Sequence, residues 1–191
     1  MGGGVGEVHG AKLVGLLRRA LRDRPDAVLV LAESGGANGC FGGMGIVARC
    51  ADTVVMSDIA RHAMSGPEVI ESAHGAGEFD SRDRALVWRT TGGKHRWLCG
   101  DCDVLVDDDA AAFRDAAIAA LDAQRPLTLE ALQQESALLQ ARADLDDDNA
   151  DAFVLWSRLG VPDARAVPDL DADALRPLRP AAVAALARGG A

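Results

Sequence analysis

No apolar run in this sequence is long enough to span a membrane, and no basic-then-apolar segment of the secretory kind opens it, so a cytoplasmic location is expected. A basic excess is also missing. The formal net charge is −9, which argues against a general nucleic-acid binder, since such a protein would show a basic face. Cysteine is scarce, at 4 residues, and reads as free thiols rather than a disulfide framework. Cys99-Gly100-Asp101-Cys102 has the spacing of a zinc half-site, but Cys40 and Cys50 supply no second close pair. No G-x-x-x-x-G-K-[ST] occurs, so a P-loop is excluded. Apolar residues are plentiful, at 49% of 191 residues, enough to build the core of one domain, alone or with an appendage.

Helical and strand-like segments alternate along the chain. Lys12 to Arg22 carries Leu13, Leu16, Leu17, Ala20 and Leu21 at helical spacing. Ala27 to Ala32 is a continuous apolar run, as expected of a buried parallel strand, and Glu33-Ser34-Gly35-Gly36 then forms a loop where α/β sheets place ligands. A short strand is predicted over Thr53 to Met56. Ser65-Gly66-Pro67-Glu68 has capping-box spacing and opens a helix to about Ser72. Arg82 to Thr91 reads as a helix stopped by Gly92-Gly93, and Val104 to Val106 as a strand. Asp107-Asp108-Asp109 caps a helix over Ala110 to Ala123. Helices are predicted over Leu129 to Ala143 and Ala152 to Leu159, the second stopped by Gly160, with the acidic run Asp144 to Asp151 between them. The character changes near residue 125. This predicts a core over 1–125 and a helical, partner-packing extension over 126–191, with a helical or partly disordered tail.

The most informative stretch is Gly39-Cys40-Phe41-Gly42-Gly43-Met44-Gly45, which runs straight into Ile46-Val47-Ala48. Its glycines put bare backbone N–H groups at a helix start, where an anion or a developing oxyanion is held. Three readings compete. Gly43-Met44-Gly45-Ile46-Val47-Ala48 fits the dinucleotide pattern G-x-G-x-x-A with Asp58 downstream, but no strand leads directly into it. Cys40 is a candidate nucleophile if the helix start lowers its thiol pKa, yet none of His9, His62, His74 and His95 is close in sequence to serve as its base. The third reading is an oxyanion hole.

Several runs bear on that third reading: Gly6-Glu7-Val8-His9-Gly10-Ala11-Lys12, Glu33-Ser34-Gly35-Gly36, the Gly39–Gly45 loop, Ser65-Gly66-Pro67-Glu68-Val69-Ile70-Glu71, Glu78-Phe79-Asp80-Ser81-Arg82-Asp83-Arg84 and Trp88-Arg89-Thr90-Thr91-Gly92-Gly93-Lys94-His95-Arg96. On these residues the chain resembles the carboxyltransferase branch of the Clp-protease/crotonase superfamily, and within it the β subunits of biotin-independent malonate decarboxylases. The resemblance implies an α/β fold, a Clp/crotonase-like spiral of ββα units with a C-terminal helical extension. Clp-type proteases carry their nucleophilic serine where Gly43 stands here, and its absence fits decarboxylation, which needs only charge stabilisation.

The implied reaction is loss of CO₂ from a malonyl thioester on an acyl carrier protein, with the enolate oxygen held by backbone N–H groups of Gly42, Gly43 and Met44 and, from the first loop, Gly35 and Gly36. Cys40, Phe41, Gly66, Pro67, Glu68, Arg82 and Arg84 are the implied substrate-binding residues. No metal, biotin or redox cofactor is expected on the chain itself. The carrier protein (δ subunit) would bring a phosphoribosyl-dephospho-coenzyme A group, and a γ subunit and an α subunit would complete the enzyme. The cationic stretch Arg82, Arg84, Arg89, Lys94, His95 and Arg96 would steer the acidic carrier or bind phosphates of its pantetheine arm, or else be a helix face solvated or paired with Asp80 and Asp83.

Two departures from the family pattern are expected to matter. An N-terminal segment supplying strands is missing, and so is the helix–strand unit that normally separates the two glycine loops. Ala37 and Asn38 alone bridge them here, whereas a crossover in one sheet needs at least about 10–12 residues. Two other functions therefore stay open: a shortened, non-catalytic relative that keeps only partner binding, and a biotin-dependent carboxyltransferase subunit.

Overall fold

The computed structural model describes residues 28–123, 128–145 and 151–179, and the helix expected over Lys12 to Arg22 lies outside them. Two small parallel sheets organise the first part. Strands β1 (Val30–Glu33), β3 (Thr53–Ser57) and β5 (Val104–Val106) form one, in the order β1-β3-β5. Strands β2 (Cys40–Phe41) and β4 (His62–Ala63) form the other, with Cys40 opposite His62 and Phe41 opposite Ala63. The chain thus repeats one order: a strand in the first sheet, a short strand in the second, then helix. After β2 comes α1 (Gly43–Ala48), and after β4 comes α2 (Pro67–His74).

The short bridge between the glycine loops, Ala37 and Asn38, lies between strands of different sheets. β1 and β2 are not neighbours in one sheet, so no crossover joins them; the chain only steps from one sheet to the other. The right-sized crossover is the one from β1 to β3, and it contains β2 and α1. Neither two-residue strand carries a periodic signal long enough to read in the sequence.

Past α2 the chain forms α3 (Arg84–Thr91), α4 (Gly93–Leu98), β5 and α5 (Ala110–Ala123). Several expected boundaries move. β1 extends to Glu33, which is buried, so this residue belongs to the strand and not to the loop. Helix α2 is capped by Gly66 with no side-chain cap bond, so the Ser65 capping box does not form, although Pro67 does occupy the first turn. Asp83 caps α3 by accepting from the Leu86 N–H at 3.1 Å, which starts the helix later than Arg82. Gly92 ends α3 after Thr91, as expected, and a second helix follows at once. Gly92 is extended and opens the separate helix α4. Of the acidic triplet, Asp109 alone caps α5, accepting from the N–H groups of Ala111 and Ala112.

Gly93 shows why a glycine stands at that joint. Its N–H donates to the Ala60 carbonyl at 2.8 Å, and a β-carbon there would lie 2.0 Å from the Ser57 carbonyl oxygen. Gly93→Ala should therefore pry α4 off the end of β3 and lower unfolding free energy by about 1–3 kcal/mol. Gly77, with nothing within 4 Å of the same position, is the matched control. Urea denaturation of Gly93→Ala and Gly77→Ala checks this: equal midpoints for the two would contradict the contact.

The later helices are α6 (Leu129–Leu145), α7 (Ala152–Arg158) and α8 (Ala172–Leu175). Gly160 ends α7 region at φ 85°, the left-handed conformation glycine adopts without strain. The described residues past 125 share the core of the first part. Trp156, Leu155, Leu159, Val167 and Leu175 bury in one cluster with Val54, Met56, Leu98 and Leu105 of the sheet and α4. Trp97 Nε1 donates to the Leu175 carbonyl at 3.2 Å, which pins the C-terminal region to α4. Among the described residues no helix is long and apolar enough to cross a membrane.

Candidate functional site

The glycine loop sits where β2 passes into α1. Gly42 has φ 60° and ψ −130°, a conformation that disfavours any side chain, and it is the residue that turns the strand into the helix. Its N–H donates to the Met64 carbonyl at 3.1 Å, and its carbonyl accepts from the Ile46 N–H at 3.2 Å. Gly42 is therefore a structural pivot whose donor is already in use. The N–H groups of Gly43 and Met44 come next and make no hydrogen bond among the described residues. Gly45 is required for packing, because a β-carbon there would meet the Ala63 carbonyl oxygen at 2.7 Å.

The first loop is also partly committed. Gly35 N–H donates to Asp108 Oδ1 at 2.7 Å, and a β-carbon on Gly35 would collide with Ile59 at 2.5 Å. In this arrangement Gly35 has no free donor. Arg61 holds the rest of the loop, donating to the carbonyls of Gly36 and Ala37 at 3.1 and 2.8 Å. Of the five expected oxyanion donors, Gly42 and Gly35 are thus engaged elsewhere, while Gly43 and Met44 are open.

Arg61 is the organiser that the sequence did not announce. Its guanidinium lies 4.4 Å from the Trp88 ring centroid and 5.8 Å from that of Phe41. Phe41 in turn approaches Gly66, and Trp88 Nε1 donates to the Ile59 carbonyl at 3.1 Å. Cys40, Phe41, Gly66 and Arg84 are therefore brought into one neighbourhood, Arg84 through its 4.6 Å stack on the other contact of Trp88. Pro67 is buried at the start of α2 and Glu68 lies beside Gly66. Arg82 is not gathered in; it is exposed, and its N–H is held by Asp80.

A cavity of about 410 Å³ opens beside this neighbourhood, lined by Asp58, Ile59, Arg84, Trp88, Lys94 and Trp156 among others. Burial in its wall raises the Asp58 carboxyl above the usual range, partly offset by Lys94. Most of the cationic stretch proves structural. Arg89 pairs with Asp151 at 2.9 Å, and Lys94 donates to the Pro168 and Leu170 carbonyls. Arg96 pairs with Asp101 at 2.9 Å. Burial holds the His95 imidazole down to about 3, with Arg96 adding to the shift, and the neutral ring accepts from Trp156 Nε1 at 3.2 Å. Arg84 alone of the six stretches over the cavity without an acidic partner among the described residues.

Cys40 is not an activated nucleophile. Burial, the charge of Glu33 and a hydrogen bond to Glu33 push its thiol up to about 12. Glu33, at the end of β1, also holds His62 Nδ1 at 2.8 Å. The only hint of this cluster in the sequence is an acidic residue closing an apolar strand. Cys99 and Cys102 are both buried, and neither joins a group of three potential ligands among the described residues.

No family model matches the chain. A curated relative does: the malonyl-S-ACP:biotin-protein carboxyltransferase MADC of Malonomonas rubra is 32% identical, the match covering 84% of this chain and 68% of the relative. That alignment runs over 219 residues, more than the 191 present here, so the relative has residues inside the aligned stretch without counterparts in this chain. Among solved structures, a chain of a Pseudomonas malonate decarboxylase hetero-tetramer in complex with malonate superimposes with a TM-score of 0.56 at 35% identity. The overlap covers 66% of this chain and 45% of that one, so this chain spans less than half the solved chain's length. A Pseudomonas malonate decarboxylase MdcD-MdcE hetero-dimer is also similar, at a TM-score of 0.43 and 31% identity over 58% of this chain and 43% of that one.

Proposed function

From a chain that belongs to the malonate decarboxylase and malonyl-thioester carboxyltransferase family, we propose a β subunit that removes CO₂ from a malonyl thioester carried on an acyl carrier protein. The observation that carries this reading is the pair of uncommitted N–H groups, Gly43 and Met44, presented where the glycine loop enters α1. In the reaction the bond between the carboxylate carbon and the α-carbon breaks. Its electron pair passes into the thioester, CO₂ leaves, and negative charge gathers on the thioester oxygen. Donors fixed in place before the reaction stabilise that charge more than the neutral carbonyl from which it arises. A proton delivered to the α-carbon then gives the acetyl thioester.

The chain's own part is to hold the oxygen. Arg61 keeps the first loop in place and Gly42 aims the second. Gly36 remains as a candidate first-loop donor, and Arg84 over the cavity offers a cation for the carboxylate or for a phosphate of the carrier's arm. The phosphoribosyl-dephospho-coenzyme A group belongs to the substrate carrier. The γ subunit would contribute the proton donor, and the δ and α subunits would complete a cytoplasmic complex. Two consecutive strand–strand–helix repeats support a spiral of ββα units, and the residues of the relative without counterparts here support an internally shortened version of it.

The Malonomonas relative favours a second reading, in which the released carboxyl group passes to a biotin carrier. The enolate step is common to both. Co-expression with a γ subunit, followed by CO₂ release from malonyl-S-carrier with and without a biotin carrier protein, separates them. Release independent of biotin is the expected result. A strict requirement for the biotin carrier would move the chain to the second reading, and a stable heterodimer with no turnover under either condition would make it a non-catalytic relative.

A further inference from the structure

Three potential metal ligands meet at the foot of the glycine loop. Cys40 and His62 are register partners on the adjacent parallel strands β2 and β4 of the second sheet. Glu33 ends β1 in the first sheet and reaches across to them. One ligand atom from each, the thiol sulfur, an imidazole nitrogen and a carboxylate oxygen, lies within 4.8 Å of the other two. Glu33 and His62 are each only 6% exposed. The second carboxylate oxygen, Glu33 Oε2, is buried and has no hydrogen-bond partner among the described residues. A buried carboxylate with an idle oxygen is expensive to maintain, and something that uses it is the economical explanation.

We propose that Glu33, Cys40 and His62 bind one divalent metal ion of the zinc class, which clips the two sheets together beneath the glycine loop. The donor set selects the metal. A thiolate, an imidazole and a carboxylate suit zinc and its borderline-soft neighbours, whereas magnesium and calcium require oxygen ligands throughout. Ligands on a tetrahedral zinc lie about 3.3–3.8 Å apart, given bonds of about 2.0–2.3 Å. Small side-chain adjustments from the present spacing reach that geometry. The fourth position falls to water on the side of the partly exposed Cys40.

Charge balances at the site. Binding displaces the thiol proton, and a dipositive ion beside one thiolate and one carboxylate leaves a neutral buried centre. The site rests on these side chains alone and does not depend on whether the chain decarboxylates malonyl thioesters.

The test uses the full chain, purified, stripped with a chelator and titrated with Zn²⁺ and, separately, Co²⁺. One equivalent of either should bind, and the cobalt form should show tetrahedral d–d bands together with a thiolate-to-cobalt charge-transfer band. Cys40→Ser and His62→Gln should each weaken Zn²⁺ binding by more than about 100-fold, since even loss of a supporting outer-shell group costs 10–100-fold. Cys99→Ser and Cys102→Ser should leave it unchanged. Mg²⁺ should not compete. A variant that fails to fold does not decide the matter, because Zn²⁺ should also block alkylation of Cys40, mapped by mass spectrometry, in the unaltered chain. No thiolate band in the cobalt form, equal alkylation of Cys40 with and without Zn²⁺, or binding that follows Cys99 and Cys102 would overturn the proposal.

Discussion

Asp101→Asn should lower stability by about 3–5 kcal/mol, the loss expected when one partner of a buried charge cluster is removed and the rest are left unpaired. Asp101 is 7% exposed and stands among three arginines. Arg142 Nη1 donates to Oδ1 at 2.7 Å, Arg96 Nη1 donates to Oδ2 at 2.9 Å, and Arg49 lies at 3.9 Å while donating to the Asp101 carbonyl. These arginines come from α6, α4 and the C-terminal cap of α1, so one carboxylate ties three elements together. For a chain of this size the loss corresponds to a fall in melting temperature of about 6–20 °C. Calorimetry of the variant against the unaltered chain measures it, and a shift under 2 °C, well below roughly half a kcal/mol per element joined, would contradict the network's role.

The same carboxylate fixes a pH dependence. Burial alone would raise the Asp101 pKa, but Arg96 and Arg142 outweigh it and hold the group down to about 2, against an ordinary value of 3.8. A depressed folded-state pKa means the contribution is fully present above the ordinary carboxylate value and is lost as pH falls through about 2. Its size is about 2 kcal/mol. Stability measured from pH 6 down to pH 2 should therefore fall less steeply in Asp101→Asn than in the unaltered chain. Parallel profiles would show that the shift is not there.

Gly43→Val should reduce turnover by about 10²–10³-fold, the usual effect of losing one oxyanion donor. The substitution probes chemistry more than folding, because Gly43 does not adopt a positive φ and begins α1 in ordinary helical geometry. A valine side chain at that point crowds the approach to the two open N–H groups. Gly42→Ala behaves differently. Its φ of 60° and ψ of −130° penalise a β-carbon wherever it points, so the expected effect is a distorted loop and lower stability. Single-turnover rates set beside melting curves tell the two apart. Normal turnover by Gly43→Val would remove the glycine loop from the mechanism.

The strand β1, the α5 helix and the stop at Gly160 were legible because each has an apolar or periodic run with a clear terminator. The glycine loop and its helix were legible for the same reason. The two-residue strands β2 and β4 were not, and their pairing decides how the site is assembled. The commitments of Gly35 and Gly42 were hidden too, since each depends on a partner distant in sequence, Asp108 for one and Met64 for the other. A cationic stretch in the sequence became a set of structural braces once Asp151, Asp101 and the carbonyls of Pro168 and Leu170 were placed beside it. Charge runs report composition; only the fold says which charges are already paired.

Mass analysis of a malonyl-loaded carrier protein, incubated with this chain and its co-expressed γ subunit, tests the assignment most directly. Conversion of the malonyl thioester to an acetyl thioester, with the label of a carboxyl-labelled malonyl group recovered as CO₂, is the expected result. A malonyl thioester that survives intact with an assembled, folded complex would contradict it.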